Sequence, residues 1–436
     1  MSTINTYTHF DKKKQYAAYK KLVANPLWVK SHGFFPFIHF QETLNKFVLG
    51  DDNKRHIKSK VRELHCSAHI DRFIYQYYSG LLNDKYNVAA EKLGVGRVAS
   101  AYRNCFKGKN NIHFAKEAFE FIVSCGSAFV YAGDFSKFFD NLDHKYLKKQ
   151  LKAVNEDGRL DDAEYAIFKN MTRFTYIDID DIVKVKGEKS WKLQDLEQYF
   201  DSKEFRSFKK KYLKKHDKEY GIPQGAAISS VYANIYMLDF DKAMDELAKR
   251  YDGMYRRYCD DIIFIVPINK ENFFTAKHEE ILKAINDIKE NVPGLILNTE
   301  KSEQYYYGNG VIKRIDKIDS DKCSFLSYLG FDFDGKKVVI RGKSLFKYYY
   351  RAYRKVAKIR SYKENKLEQA YVTGKKALYK GYTHLGAFSN RNKHGNFLTY
   401  AYKSHKIFGK STVLESGIRS QVRRHWHKIE NRLKAK

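Results

Sequence analysis

Residues 254–267 read MYRRYCDDIIFIVP, two β-prone apolar runs flanking the acidic pair Asp260-Asp261. Runs of that kind around a short polar break predict a hairpin with both carboxylates at its bend. A second strand of the same character lies upstream: AFVYAGD (128–134) is an apolar run ending on Asp134, 126 residues before Asp260. If strand and hairpin pair, three carboxylates meet at one sheet edge. Their repulsion is bearable only when cations hold them together. Oxygen-only donors select hard ions such as Mg²⁺, which complete their shell with water and substrate phosphates. Two such ions about 4 Å apart stabilise the attacking and leaving oxygens of an in-line phosphoryl displacement. That is the chemistry of nucleotide polymerisation.

The rest of the composition agrees. The chain has 436 residues, 43% hydrophobic and 30% charged, which fits a globular protein rather than a disordered or fibrous one. Lys and Arg number 81 against 51 Asp and Glu, a net charge of +30 that calls for a polyanionic partner. Its 34 Tyr and 31 Phe supply stacking surface for bases as well as core. The cysteines (Cys66, Cys105, Cys125, Cys259, Cys323) are odd in number, scattered and free of CxxC pairs. That pattern argues against a disulfide scaffold or a cysteine zinc site and fits a reducing compartment. The start of the chain lacks an apolar signal core, and no apolar run approaches the roughly 18 residues of a membrane span. A cytoplasmic protein with no membrane partner is expected.

Charge divides the chain. Residues 341–436 hold 25 Lys and Arg against four Glu and no Asp, and the shift begins after Gly335. Leu345, Tyr349, Ala352, Val356 and Ile359 repeat there at helical spacing behind a candidate N-cap, Ser344. Ile418, Val422, Trp426, Ile429 and Leu433 repeat likewise in one last helix. SSVYANIYMLDFDKAMDEL (229–247) predicts a helix capped by Ser229 or Ser230, and residues 40–125 read as mainly helical. Residues 150–218 are polar, with one β-prone run at 173–183. The fold class is therefore α+β: a strand, a helix and a hairpin between helical flanks.

An ordered series of segments resembles the reverse transcriptases. YAGDFSKFFDNLDH (131–144) resembles their first catalytic strand and turn, GIPQGAAISSVYANIY (221–236) their template- and nucleotide-contacting loop and helix, and YRRYCDDIIF (255–264) their Tyr-x-Asp-Asp hairpin. LILNTEKSE (295–303) and SYLGF (327–331) resemble the segments that follow, the second being the primer-grip strand. HIDRFIYQYY (69–78) and AYRNCFKGKNN (101–111) resemble the fingers segments. Together they cover roughly residues 60–335 in the family's order. The resemblance implies a right-hand polymerase fold. Its parts would be a helical leader at 1–55, fingers at 56–127, a palm at 128–340 with an insertion at 150–218, and an all-helical basic thumb at 341–436.

It also implies roles. Asp134, Asp260 and Asp261 would be the catalytic carboxylates, holding two Mg²⁺ ions with the carbonyl of Phe135. Phe139 falls where the family places a steric gate against the ribose 2′-hydroxyl. Gln224 would line the nucleotide site, Arg103 and Lys109 would hold the triphosphate, and Lys301 would stand near the leaving pyrophosphate. Gly225, Tyr258, Leu329 and Gly330 would contact primer and template. Where many relatives carry Ser-Pro after Gln-Gly, this chain has Ala226-Ala227. WVKSHGFFPFIHF (28–40) and NFLTYAYKSH (396–405) resemble segments of the bacterial defence-associated and abortive-infection enzymes, and the YCDD bend points to the class 2 type. That lineage implies a companion non-coding RNA as template, deoxynucleoside triphosphates as substrates and a DNA product, in anti-phage defence. A template-independent or protein-primed polymerase and a catalytically idle RNA-binding scaffold are the alternatives.

Overall fold

The computed structural model describes residues 7–49, 55–187, 196–268, 278–299, 301–317, 324–388 and 395–435. Residues 1–6, Glu300 and Cys323, used in the sequence reading, lie outside these. The chain forms two compact units, interleaved in sequence: residues 1–105, 135–244 and 284–297 make one, and 106–134, 245–283 and 298–436 the other.

The second unit is built on a five-stranded antiparallel sheet in the order Met254–Tyr258, Asp261–Pro267, Ser127–Asp134, Glu303–Gly308, Val311–Arg314. Ser127–Asp134 is a near-continuous apolar run because it sits inside the sheet, where both faces are covered. Ala128, Phe129 and Val130 are fully buried. The helix Asn111–Ser124 supplies Ile112, Ala115, Phe119 and Ile122 to the same core, and its N-terminus is closed by a capping box at Asn110. A second sheet (Leu326–Tyr328, Phe331–Phe333, Lys337–Ile340, Glu415–Ser416) packs Phe331, Phe333 and Val338 into that core. Among its described residues, the regular elements of the basic C-terminal region are helices apart from the two-residue strand Glu415–Ser416. Its own core gathers Tyr348, Ala352, Val356, Ile359, Leu378 and Ile429.

Details of the sequence reading change here. The helix Gly342–Glu364 begins two residues before Ser344, so Ser344 is no cap, and Tyr348 rather than Tyr349 is the buried ring. The last apolar stripe is split into helices Ile418–Val422 and His425–Lys434. In the first unit, the helix Ala227–Tyr236 starts ahead of both candidate serine caps, and Ser229 donates instead to the Pro223 carbonyl at 2.7 Å.

The largest correction lies at 37–66, where a helical reading gives way to a long antiparallel hairpin, Phe37–Leu49 against Arg55–Cys66. Its strands carry polar residues on both faces, which hides the period-2 signal. In the sequence, the composition Gly-Asp-Asp-Asn at 50–53 is the cue against one continuous helix. The 150–218 segment now has a physical role. Thr175–Asp178 adds in parallel to Phe37–His39, Lys214–Lys215 adds beyond it, and Ile177, Ile182, Tyr199, Phe200 and Phe208 form a core with Phe10 and Ile38. His39 ties the sheet together, with one ring nitrogen 2.5 Å from Asp178 and the other 2.5 Å from Glu63.

Candidate active site

The central strand and the hairpin pair as expected, and the register is the decisive fact. Asp134, the last residue of Ser127–Asp134, lies directly opposite Asp261 in the ladder. Directly opposed residues place their Cβ atoms about 5 Å apart, a destabilising position for two like charges. Asp260 occupies the two-residue bend between Tyr258 and Asp261. Burial of its carboxyl pushes Asp261 up to about 6, the charge of Asp260 adds to the rise, and Arg341 opposes it. The residue keeps an exposed edge towards solvent. Asp134 is 9% exposed and is ion-paired with the Lys301 ammonium. Its carbonyl accepts from the Asn298 amide at 2.8 Å, which anchors the segment carrying Lys301 to the strand end.

The bend is strained and braced. Cys259 has φ +61°, and the bend needs that value at its first residue to follow the twist of the two strands. A β-free residue such as glycine would take it without cost; here a buried cysteine does. Arg257, in the strand leading into the bend, is 0% exposed, and its guanidinium donates to the Cys259 carbonyl at 3.0 Å. Sequence reasoning missed this arginine. The only cue is a pair of cations, Arg256 and Arg257, in a strand otherwise made of Met and Tyr, which in so basic a chain carries little information.

The first unit gathers a different set. Phe139 follows the buried Phe135 and Phe138 in a short 3-10 turn, and of the three rings it alone is partly exposed. Its carbonyl accepts from the Ile222 amide at 2.9 Å, bringing the Gly221–Gly225 loop beside it. Gln224 is half-buried, and its carbonyl accepts from the His65 amide at 2.8 Å, so the loop hangs on the root of the long hairpin. Gly225 is required there: φ is +127°, and a Cβ would lie 2.6 Å from the His65 carbonyl oxygen. Arg103 lies elsewhere in function. It is buried, with its guanidinium donating to Asn87 at 2.8 Å and to the Gly96 and Ala99 carbonyls, and it faces the Tyr86 ring at 5.2 Å. This is an arginine holding its own loop rather than one presented to a triphosphate. Lys109, in the second unit, is exposed just before the Asn110 cap.

Leu329 and Gly330 form the tip between strands Leu326–Tyr328 and Phe331–Phe333, both with positive φ. Asn111 donates to the Leu329 carbonyl at 2.9 Å. They open onto a groove of 640 Å³ that Lys347, Arg351 and Lys355 line from the helix Gly342–Glu364. Tyr258 sits at the end of its strand, half-buried, with its hydroxyl pKa raised by burial.

Among the described residues, no three His, Cys, Asp or Glu side chains are drawn together as a ready ligand set for a metal ion. The donor chemistry nevertheless fits hard divalent ions. Two aspartates face each other across the ladder beside a third, burial and the charge of Asp260 raise the pKa of Asp261, and Asp134 is countered by an ammonium. Excess negative charge of this kind is what a divalent cation relieves.

The antiparallel sheet therefore ends in a trio of aspartates, one on the central strand and two at an adjoining hairpin bend. Residues 124–333 match the family model for reverse transcriptase (RNA-dependent DNA polymerase), so the chain carries a reverse transcriptase domain and the α+β fold of an RNA-directed DNA polymerase. A search of curated proteins returns no match. Among solved structures, apo telomerase from Candida tropicalis truncated from its C-terminal domain aligns at 13% identity with a TM-score of 0.39, covering 74% of this chain and 59% of that one. Telomerase from Candida albicans, in complex with a fragment of telomeric RNA, aligns at 12% identity with a TM-score of 0.38, covering 92% and 64%. The chain thus spans about three-fifths of the length of these telomerases, and nothing below rests on them. No described helix is long and apolar enough to cross a membrane.

Proposed function

We propose that the protein copies a companion non-coding RNA into DNA by two-metal phosphoryl transfer, as part of anti-phage defence in the bacterial cytoplasm. The observation that carries the catalytic part is the pairing of Asp134 with Asp261 beside the Asp260 bend. The defence part is supported by the sequence resemblance of 28–40 and 396–405 to the bacterial defence-associated and abortive-infection enzymes, and the class 2 type by the YCDD bend. In this reading 56–127 are fingers, 128–340 palm and 341–436 thumb.

Asp134, Asp260, Asp261 and the Phe135 carbonyl would hold two Mg²⁺ ions, which when bound supply positive charge to the attacking and leaving oxygens. The protein's own groups do the rest. Lys301 keeps an ammonium beside Asp134 and donates a proton to the departing pyrophosphate. The exposed edge of the Phe139 ring excludes a ribose 2′-hydroxyl, so deoxynucleotides are selected. Gln224 shapes the nucleotide site, with Lys109 as the remaining triphosphate cation, and Gly225 contacts primer and template. Tyr258, Leu329 and Gly330 steady the primer, and the thumb cations hold backbone phosphates, a contact that gives affinity rather than sequence choice.

The test is to sequence the RNA and DNA that co-purify with the protein from phage-infected cells. DNA complementary to one enriched RNA is expected, and it should vanish together with protection in Asp260→Ala and Asp261→Ala. DNA of random sequence would favour template-independent synthesis. Protection and incorporation untouched by both substitutions would leave only an RNA-binding scaffold.

A further inference from the structure

The helix Gly342–Glu364 carries a cationic stripe and, apart from it, a mainly aromatic one. At 100° per residue, Lys347, Arg351 and Lys355 share one side, which lines the groove at Leu329 and Gly330. Phe346, Tyr350, Tyr353 and Arg360 share another, about a third of the way round the helix. The core residues Tyr348, Ala352, Val356 and Ile359 fill the remaining arc.

The second stripe is unlike a solvated basic face. Phe346 is 60% exposed and Tyr350 48%, and their rings are nearly parallel, 15° apart with centroids at 6.3 Å. The Arg354 guanidinium lies 5.8 Å over the Tyr350 ring, and Arg432, from the helix His425–Lys434, lies 4.5 Å over Tyr353. Tyr350, Tyr353, Arg354, Arg360 and Arg432 line a shallow groove of 360 Å³ with no acidic residue in its wall. Large exposed rings interleaved with guanidiniums cost solvation and gain nothing for a helix already packed on its other side. They match the two halves of a single-stranded nucleotide: a flat base for the ring and a phosphate for the fork of donors. The charge and ring spacing suit an unpaired strand rather than a duplex, whose bases are already stacked inside.

We propose that this outer face of the C-terminal helices, centred on Tyr350 and Arg354, is a docking site for a single-stranded stretch of RNA, separate from the groove at Leu329–Gly330. The choice of RNA rests on the reading of the protein as an RNA-copying polymerase. The site would hold an unpaired part of the bound RNA by stacking and phosphate contacts while template and primer occupy the other groove.

The experiment uses the full-length protein with its primer–template groove saturated by unlabelled annealed RNA–DNA duplex. Binding of a fluorescein-labelled twelve-nucleotide oligo(A) RNA is followed by anisotropy. Tyr350→Ala is expected to weaken oligo(A) about tenfold, and Tyr350→Phe to stay within about twofold because the ring survives. Arg354→Ala should weaken binding and flatten its dependence on salt. Extension of an annealed primer should be unchanged in Tyr350→Ala and Tyr350→Phe. The proposal is overturned if Tyr350→Ala and Arg354→Ala bind oligo(A) as the unsubstituted protein does. It is equally overturned if Tyr350→Phe loses as much as Tyr350→Ala, or if only oligo(dA) binding responds. Absence of primer extension in the unsubstituted protein, with the Tyr350→Ala loss intact, would remove the polymerase reading and leave the docking site standing.

Discussion

Two hairpins divide the labour of this protein, and they are built on opposite principles. Met254–Pro267 is short, closes in a two-residue bend, and buries Ile262 to Val266 without interruption. Phe37–Cys66 runs through twelve cross-strand pairs, and its outer strands stay polar, with Val61 47% exposed. The first presents carboxylates and must fix a bend to a fraction of an ångström. The second presents only its root, where the His65 amide holds the Gln224 carbonyl. Precision in the first comes from burial and a braced turn; in the second it comes from strands added by the 150–218 segment and from His39 between two carboxylates.

That contrast sets the expected mutational effects. Arg257→Met removes the donor to the Cys259 carbonyl inside the core, so a loss of roughly 2–3 kcal/mol in unfolding free energy is expected. DNA synthesis should fall about a hundredfold through misplacement of Asp260. Urea unfolding and single-nucleotide incorporation measure the two. Val61→Ala in the long hairpin, by contrast, should stay within about 0.5 kcal/mol. At the loop that the long hairpin steadies, Phe139→Ala should leave stability nearly unchanged. It should relax discrimination against ribonucleotides by about a hundredfold, read as the ratio of dNTP to rNTP incorporation.

A smaller effect follows from pH. Burial lowers His9 and His65 to about 3, and both lie in the unit of the long hairpin. The unfolded chain takes up those protons near pH 6.5 and the fold does not, so stability present above 6.5 is lost as the pH falls towards 3. Asp71 has the opposite sign: burial pushes it up to about 6, so it adds stability as the pH falls from about 6 to 3.8. The two histidines span the wider interval, and the urea midpoint should be lower at pH 4.5 than at pH 7.5. An equal midpoint would show that both rings are charged in the fold.

The same contrast explains what the sequence disclosed. The pairing of Ser127–Asp134 with Asp261–Pro267 is legible because both strands are buried and read as apolar runs bounded by Asp134 and the Asp260-Asp261 pair. The long hairpin is not legible because its polar strands lack both periodicities. Arg103 misled for a related reason. A cation in a matching segment looks like a ligand group, and only its carbonyl partners show that the fold has consumed it. The hydrogen bond from His65 to Gln224 joins segments far apart in the chain, to which a one-dimensional pattern is blind.

The most direct measurement is of divalent-ion binding by the three aspartates. Mn²⁺ is titrated into the protein with bound primer–template and a non-reactive deoxynucleotide analogue, and free ion is counted by electron paramagnetic resonance. Two bound ions are expected, with at least one lost in each of Asp134→Asn and Asp260→Asn while the fold, checked by circular dichroism, is kept. Undiminished Mn²⁺ binding by folded Asp134→Asn would contradict a shared site, because the strand and the bend would then not be holding the same ions.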